Sequence, residues 1–571
     1  MNKHVRAVAL GKEPGDVLLR NGKIVDVLTE SVYGGEVVLA DGVIAGIAPY
    51  GTYSAAKKEI DVAGAFIAPG LINAHCHVES SMAAPEHYCA EELAWGVTTL
   101  ITDPHEIANV AGAEGIRYML QAGGHMPINY YVQLPSCVPA TPFEHAGCIM
   151  DAAAMVELMD EPGVLGVGEM MNVPGVLNDA PDVLAKLELA LQKKRVIDGH
   201  APMLGGTALQ AYAASGIDTD HESISWAEAR EKLRAGMAVL VRQGSASKNL
   251  QVVLQGALAE GVDVQNMAFC TDDKHLADIR KEGSIRHCVK MAVALGMNPV
   301  RALRMASINA AKIYGLHRLG AIAPGWQADI VVFDNLEALR PLHVFHKGED
   351  AVAKAAKVVP LVPAPALQGS VRPAPFTEAD FAVEKFAAEK EYPVIRMLPG
   401  EILTAKESIG GADVPAALAA GSLHMIAVLE RHHGTGYMGL GLIAGYGLRN
   451  GAVATTVAHD SHNLIVIGST PKDMAVAAHQ LVHLQGGYTL VEAGQVKGSV
   501  PLAICGLMSS APAEQLIVSL EEIRTLAHAQ GVPKGIDPFI SLSFMALPVI
   551  PHLRITDMGM FDVDKFAFCE G

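Results

Sequence analysis

The chain opens on short alternating runs. "DVLLRNGKIVDV" and "GEVVLADGVIAGIAP" place apolar residues at roughly every second position and break at Asn-Gly and Asp-Gly, so residues 1–65 predict a small antiparallel β unit. From residue 66 the pattern changes. The apolar runs "AFIAPGLINAH", "VTTLITD" (97–103), "NYYVQLPS" (129–136), "VLGVGEM" (164–170), "VIDGHA" (196–201), "IDTDHE" (217–222), "AVLVRQGS" (238–245) and "MAFCTDD" (267–273) read as strands. Between them lie stretches such as "EIANVAGAEGIRYMLQAG", "APDVLAKLELALQKK" and "SWAEAREKLRAG", whose apolar residues recur at helical spacing. Strand and helix alternating in this way predict an α/β fold built on a (β/α)8, TIM-like barrel over residues 66–319.

After the helical "PVRALRMASINAAKIYGL", strand character returns in "GAIAPGWQADIVVFDN". Residues 320–350 are expected to rejoin 1–65 as one composite β-sandwich domain bracketing the barrel. The Ala-, Val- and Pro-rich stretch that begins residues 351–380 reads as a linker. Residues 381–571 combine Gly-rich strand-like runs with the helical "PKDMAVAAHQLVHLQ" and predict a C-terminal α+β domain. No internal repeat is evident.

A chain of 571 residues, 50% hydrophobic and 18% charged, has the material for several cores and a large buried site. Its net charge of −18 argues against nucleic-acid or membrane-surface partners, which need a basic face. The eight cysteines are scattered without a C-x-x-C pair, as expected in a reducing compartment. The N-terminal residues lack an apolar core of signal-peptide length, and no run is apolar enough to span a membrane. A cytoplasmic protein is expected.

"NAHCHVESS" places His75 and His77 at the end of the first barrel run. One His-x-His pair is about what chance supplies at this histidine content, so the pair counts only for the company it keeps. Residues two apart on a strand share a side, which sends both rings the same way and turns Cys76 away as a packed thiol. Barrel chemistry gathers at the C-terminal strand ends. There the fourth run offers Glu169, the fifth His200, the sixth His221 and the eighth Asp272 and Asp273. Each alone has an ordinary explanation: Glu169 or the Asp pair as a helix cap, a histidine as a hydrogen-bonded core residue. Together, in phase with separately assigned strands, they point to metal. So many ionisable groups could be buried side by side only around a cation. Six ligands exceed one tetrahedral shell, so two divalent ions are expected, with Glu169 the natural bridge. Nitrogen and oxygen donors without thiolate suit Mn, Fe or Zn.

The barrel motifs resemble the amidohydrolase superfamily. The strings "PGLINAHCHVESSM", "GVTTLITDPHEIANVAG", "GVGEMMN" and "FCTDDKH", with "HDSHNLIVIG" and "DPFISLSFMALPVIPHLRITDMGMFDV" further on, resemble the microbial adenine deaminase family over nearly the whole chain. The resemblance implies hydrolysis of adenine to hypoxanthine and ammonia by a homo-oligomer, a dimer or tetramer. It implies that His75, His77 and Asp272 serve one ion and His200 and His221 the other, with Glu169 between, and that Mn or Fe is the expected metal, with Zn a further candidate. Many amidohydrolases carry a carboxylated lysine on strand four; Glu169 stands there instead, which counts against a dihydroorotase or hydantoinase. "GHAPML" also lacks the glutamate that follows the strand-five histidine in adenosine deaminases.

Attack at C6 requires a proton shuttle, for which Asp272 is the candidate with Glu169 assisting, and an acid for ring N1, for which Glu79, Glu106 and Asp273 are alternatives. Asp103, His105 and Glu106 either support the ligands or touch substrate, unless they merely cap a helix. Arg242 and Ser245 are candidate purine contacts. "HDSHN", with His459, Asp460 and His462, and "ERHHG", with His432 and His433, either bind another ion, wall the site or are polar turns. Other amidohydrolase chemistry and a non-catalytic scaffold stay open.

Overall fold

The computed structural model describes residues 2–400 and 403–569. Strands from before and after the barrel interleave in one sheet, in the order Glu349–Asp350, Pro341–His346, Ile330–Phe333, Phe66–Pro69, Gly15–Asp26, Ser31–Ala40 and Val43–Ala48, with Ala56–Asp61 also paired to Gly15–Asp26. Leu19, Ile24, Val37, Leu39, Ile67, Ile330, Val332 and Phe345 form its core. A helix, Lys3–Ala9, which the alternating pattern did not predict, packs Val5 and Val8 against the same sheet.

The run read as one strand, "AFIAPGLINAH", is two. Phe66–Pro69 belongs to the outer sheet, pairing antiparallel with Ile330–Phe333, and Leu71–His77 enters the barrel. The break falls at Gly70. A Cβ there would sit 2.0 Å from Thr98 Oγ1, so only glycine lets the chain pass so close to its neighbour while changing sheets.

Eight parallel strands then form the ring: β1 (Leu71–His77), β2 (Val97–Thr102), β3 (Asn129–Leu134), β4 (Val164–Met170), β5 (Val196–Gly199), β6 (Thr219–Asp220), β7 (Ala238–Arg242) and β8 (Met267–Cys270). Ladders join β1 through β5 and β6 through β8. Between β5 and β6 the ladder gives way to single bonds, with Asp218 N–H donating to Ile197 O at 2.8 Å. The ring closes where Asp272–Asp273, just past β8, pairs with Cys76 and His77 of β1. Ile72, Ala74, Ile101, Leu240 and Ala268 fill the interior. Strands buried on every face explain the unbroken apolar runs in the sequence.

The C-terminal part is built on a second eight-stranded sheet that runs from Thr404–Gly410 at one edge to Gln495–Pro501 at the other. Its central strand Leu423–Leu429 is buried throughout. Met425 and Ala427 face the helix Pro471–Leu484, in a core shared with Met474, Ala478 and Leu481. Ile426 and Val428, on the other face, join the cluster that continues into the barrel. Alternate residues of one strand thus weld the two units together.

Residues read as a linker are packed. The helices Ala351–Ala355 and Pro365–Gln368 bury Ala351 and Leu367. Leu361 N–H donates to Glu86 of the barrel at 2.7 Å, and Cys505 N–H of the C-terminal unit donates to Leu367 O at 2.6 Å. Composition alone cannot tell a loose tether from a strap that both flanking units hold. All eight cysteines are free. Among the described residues no helix is long and apolar enough to cross a membrane.

Candidate active site

All six donors expected at the strand ends meet at the C-terminal mouth of the barrel. His75 and His77 leave β1 with their Nε2 atoms 3.2 Å apart. His77 Nδ1 lies 2.8 Å from the Asp103 carbonyl, which accepts its proton and turns Nε2 inward. That Nε2 faces Asp272 Oδ1 at 3.0 Å and Glu169 Oε1 at 3.5 Å. Glu169 reaches the other way with Oε2, to His200 Nδ1 at 2.7 Å and His221 Nε2 at 3.1 Å. One carboxylate therefore stands between two histidine sets. Asp272, at φ 59°, occupies the left-handed backbone region in order to turn back over β1.

Several of the donors are fixed through their backbone or their neighbours. Glu169 N–H donates to Asp103 Oδ2 at 2.9 Å. Gly168 makes that contact possible, since a Cβ there would fall 2.0 Å from the same oxygen. Asp220, next to His221, accepts from the buried Lys232 ammonium at 2.7 Å and from Ala201 N–H at 2.9 Å. Tyr212 ties β4 to β5 by donating to Met170 O at 2.7 Å and accepting from His200 N–H at 3.0 Å.

Charge in the cluster is strongly perturbed. Burial and the neighbouring His221 push His75 down to about 3, which leaves it a neutral ligand. Burial works to raise Glu169, yet the His200 ring beside it holds the carboxyl well below the usual range. Burial likewise opposes ionisation of Asp272, and the Arg242 guanidinium overcomes it. His200 rises to about 9 against the effect of burial, because Glu222 and Glu169 face it.

These residues fit metal cations. The ligand atoms of His75, His77 and Glu169, of Glu169, His200 and His221, and of His75, His221 and Asp272 each lie within 4.8 Å of one another. His221 Nε2 is buried with no hydrogen-bond partner although Glu169 is near, the disposition of two ligands aimed at a common point. No thiolate enters the set, and Cys76 is fully buried with Sγ toward Ile101 O.

The remaining candidates divide. Asp103 is wholly buried behind His77 and Glu169. His105 Nδ1 is 3.3 Å from Glu169 Oε1, so this ring lines the centre. Glu106 faces the C-terminal unit, with Oε1 3.2 Å from His459 Nδ1 and Oε2 2.5 Å from His462 Nε2. Glu79 accepts from Ile107 N–H at 3.2 Å and rises to about 7 through burial and the charge of Glu106. Asp273 is held by the Ser80 hydroxyl. Arg242 clamps Glu222 and lies 2.8 Å from Asp272 Oδ2. Ser245 is not at the mouth's polar cluster: its hydroxyl donates to Asp278 at 2.5 Å and accepts from His275 N–H at 2.9 Å, so it has no proton to offer a purine.

Residues 66–359 match the model of the amidohydrolase family, and residues 408–567 match that of the adenine deaminase C-terminal domain. Adenine deaminase of Halalkalibacterium halodurans is 41% identical, over 99% of this chain and 97% of its own. Adenine deaminase of Dehalococcoides mccartyi strain 195 is 43% identical, over 98% of this chain and 97% of its own. The chain belongs to the adenine deaminase family. Amidohydrolases typically depend on metal, and this family member presents the clusters to hold it.

One residue of this adenine deaminase relative was not foreseen from its sequence, and one of the alternatives left open there is decided by the contacts. Glu222 follows His221 directly and reaches to 3.6 Å from that ring's Nε2. The "HE" pair was its signal, obscured because strand alternation sends neighbours to opposite sides. The "HDSHN" segment, equally explicable as a turn, walls the barrel mouth through Glu106. Replacing Arg242 by Met should remove the one guanidinium that faces both the Glu222 and the Asp272 carboxylates, leaving them only histidine neighbours. We expect the metal-free variant to lose about 3 kcal/mol of stability in urea unfolding; a loss below about 1 kcal/mol would show that the clamp is not holding them.

Proposed function

We propose that the protein hydrolyses adenine at C6 to hypoxanthine and ammonia. What supports this most is a single conjunction: a buried cluster of four histidines and two carboxylates at the barrel mouth, in a chain aligned almost end to end with proteins called adenine deaminase. Two divalent cations are assigned to it, His75, His77 and Asp272 holding one and His200 and His221 the other, with Glu169 shared. Mn or Fe are the expected ions and Zn a further candidate. When bound, such cations lower the pKa of water toward neutrality, so that hydroxide is available at pH 7.

The proton traffic belongs to the chain. Arg242 occupies Asp272 Oδ2 and leaves Oδ1 facing His75 and His77. That oxygen takes the proton of the attacking water and passes it to the departing amine. Attack at C6 drives electron density onto ring N1, which must take up a proton; Glu79 and Asp273, raised by burial to about 7 and about 6, are the carboxyls able to carry one, whereas Glu106, although buried, is held ionised by His459 and His462. His105 packs edge-on against His77, with ring centroids 4.6 Å apart, and lines the same mouth beside Glu169.

The direct test is protein reconstituted with Mn or Fe and given adenine. One equivalent of ammonia should appear per hypoxanthine formed. Turnover of a cyclic amide without turnover of adenine would reassign the enzyme within the superfamily.

A further inference from the structure

The segment His459–His462 is held from behind at almost every polar atom. His432 Nε2 is 2.7 Å from Ser461 O, and Arg431 donates to the His462 carbonyl. Asn463 donates to Ser461 Oγ at 3.2 Å and to His145 O, on the loop after β3, at 2.8 Å. His462 Nδ1 accepts from Ala458 N–H at 3.1 Å, which leaves the ring proton on Nε2, facing Glu106. His459 faces Glu106 as well and stacks on Phe544 at 4.9 Å.

Asp460 is the exception. It is 4% exposed, and among the described residues no hydrogen bond ends on its carboxyl; its nearest charged neighbour is His459 Nδ1 at 3.8 Å. A carboxyl oxygen of Asp460 and ring nitrogens of His105 and His459 all lie within 4.8 Å of one another, and His105 adjoins Glu169. The orphan therefore points into the catalytic mouth from the C-terminal unit. Leaving a buried carboxyl unpaired is costly, and a rigid scaffold that does so reserves it for a ligand.

We propose that Asp460 is the C-terminal unit's contact with the substrate, hydrogen-bonded to a ring nitrogen of the purine lying over Glu169. This rests on the deaminase reading above. Burial raises the carboxyl to about 7, with Glu106 adding to the rise and His459 opposing it. Both protonation states are thus accessible near neutrality, one donating to a bare ring nitrogen and the other accepting from a ring N–H. Glu144, itself raised to about 8 by burial and by Asp460, adds a second carboxyl close by. The barrel would supply the chemistry and the C-terminal unit a reading of the base.

The test compares Mn-loaded wild type with Asp460→Asn and Asp460→Ala. Metal content should be unchanged in all three, while KM for adenine rises by about tenfold or more in the alanine variant. Inhibition by 1-, 3- and 7-deazaadenine supplies the readout that a merely structural residue would not move. Wild type should bind one of the three about tenfold more weakly than the others, and Asp460→Ala should lose that preference. An unchanged deaza pattern in Asp460→Ala, or loss of an equivalent of metal, would overturn the proposal, the latter by making Asp460 a ligand. Wild type inert toward adenine would instead overturn the deaminase reading itself.

Discussion

Glu169→Gln is expected to yield a folded protein with depleted metal and turnover reduced by about 10³-fold or more, beyond the ~10–100-fold typical of residues that only support a ligand. The geometry gives the reason. Among the described residues Glu169 is the one side chain whose two oxygens divide between the halves of the cluster, Oε1 toward His77 and His105 and Oε2 toward His200 and His221. Glutamine keeps the shape but removes the charge and presents one oxygen instead of two, so at most one half retains its bridge. Elemental analysis and steady-state rates on the same preparation decide the matter, with thermal unfolding as the check on folding. Full metal content together with an unchanged rate would remove Glu169 from the ligand set.

The second large effect concerns the sugar. Adenosine should be processed at least about 10³-fold less efficiently than adenine, a difference of about 4 kcal/mol in transition-state binding. The barrel mouth is roofed by the buried "HDSHN" segment, fixed by Arg431, His432 and Asn463 and backed by Phe544. A ribose would have to displace packed side chains that are held at many points. Absorbance assays giving kcat/KM for both compounds on one metal-loaded sample provide the measurement; comparable values would mean that this roof opens.

The six donors were legible because each stands at or close to the end of a short apolar run that reads as a buried barrel strand. His75 and His77 share a side for the same reason that Cys76 does not. What was not legible depended on contacts between distant segments. The run through Gly70 is continuously apolar, and only the approach to Thr98 and the partnership with Ile330–Phe333 divide it into two strands. Glu222 follows a strand only two residues long, where alternation no longer governs direction. Ser245 looked available until Asp278 claimed its proton. His459, Asp460 and His462 lie on a turn between two strands of another sheet, Ala452–Thr455 and Leu464–Gly468, and nothing in their local pattern states that this sheet docks on the barrel.

The interleaved outer sheet and the separate origin of the roof also set an order of assembly. The strands that close the outer sheet around the barrel end by Asp350, and by then every one of the six donors has been synthesised. His459, Asp460 and His462 have not. Units that fold as they emerge from the ribosome would thus complete the ligand cage before the wall that confines the base exists. During that interval the mouth is open to ions and offers a purine no complete pocket. Metal acquisition would then be an event of biogenesis, finished while access is widest, and the mature enzyme would exchange its ions only by partly undoing the last step of its own synthesis.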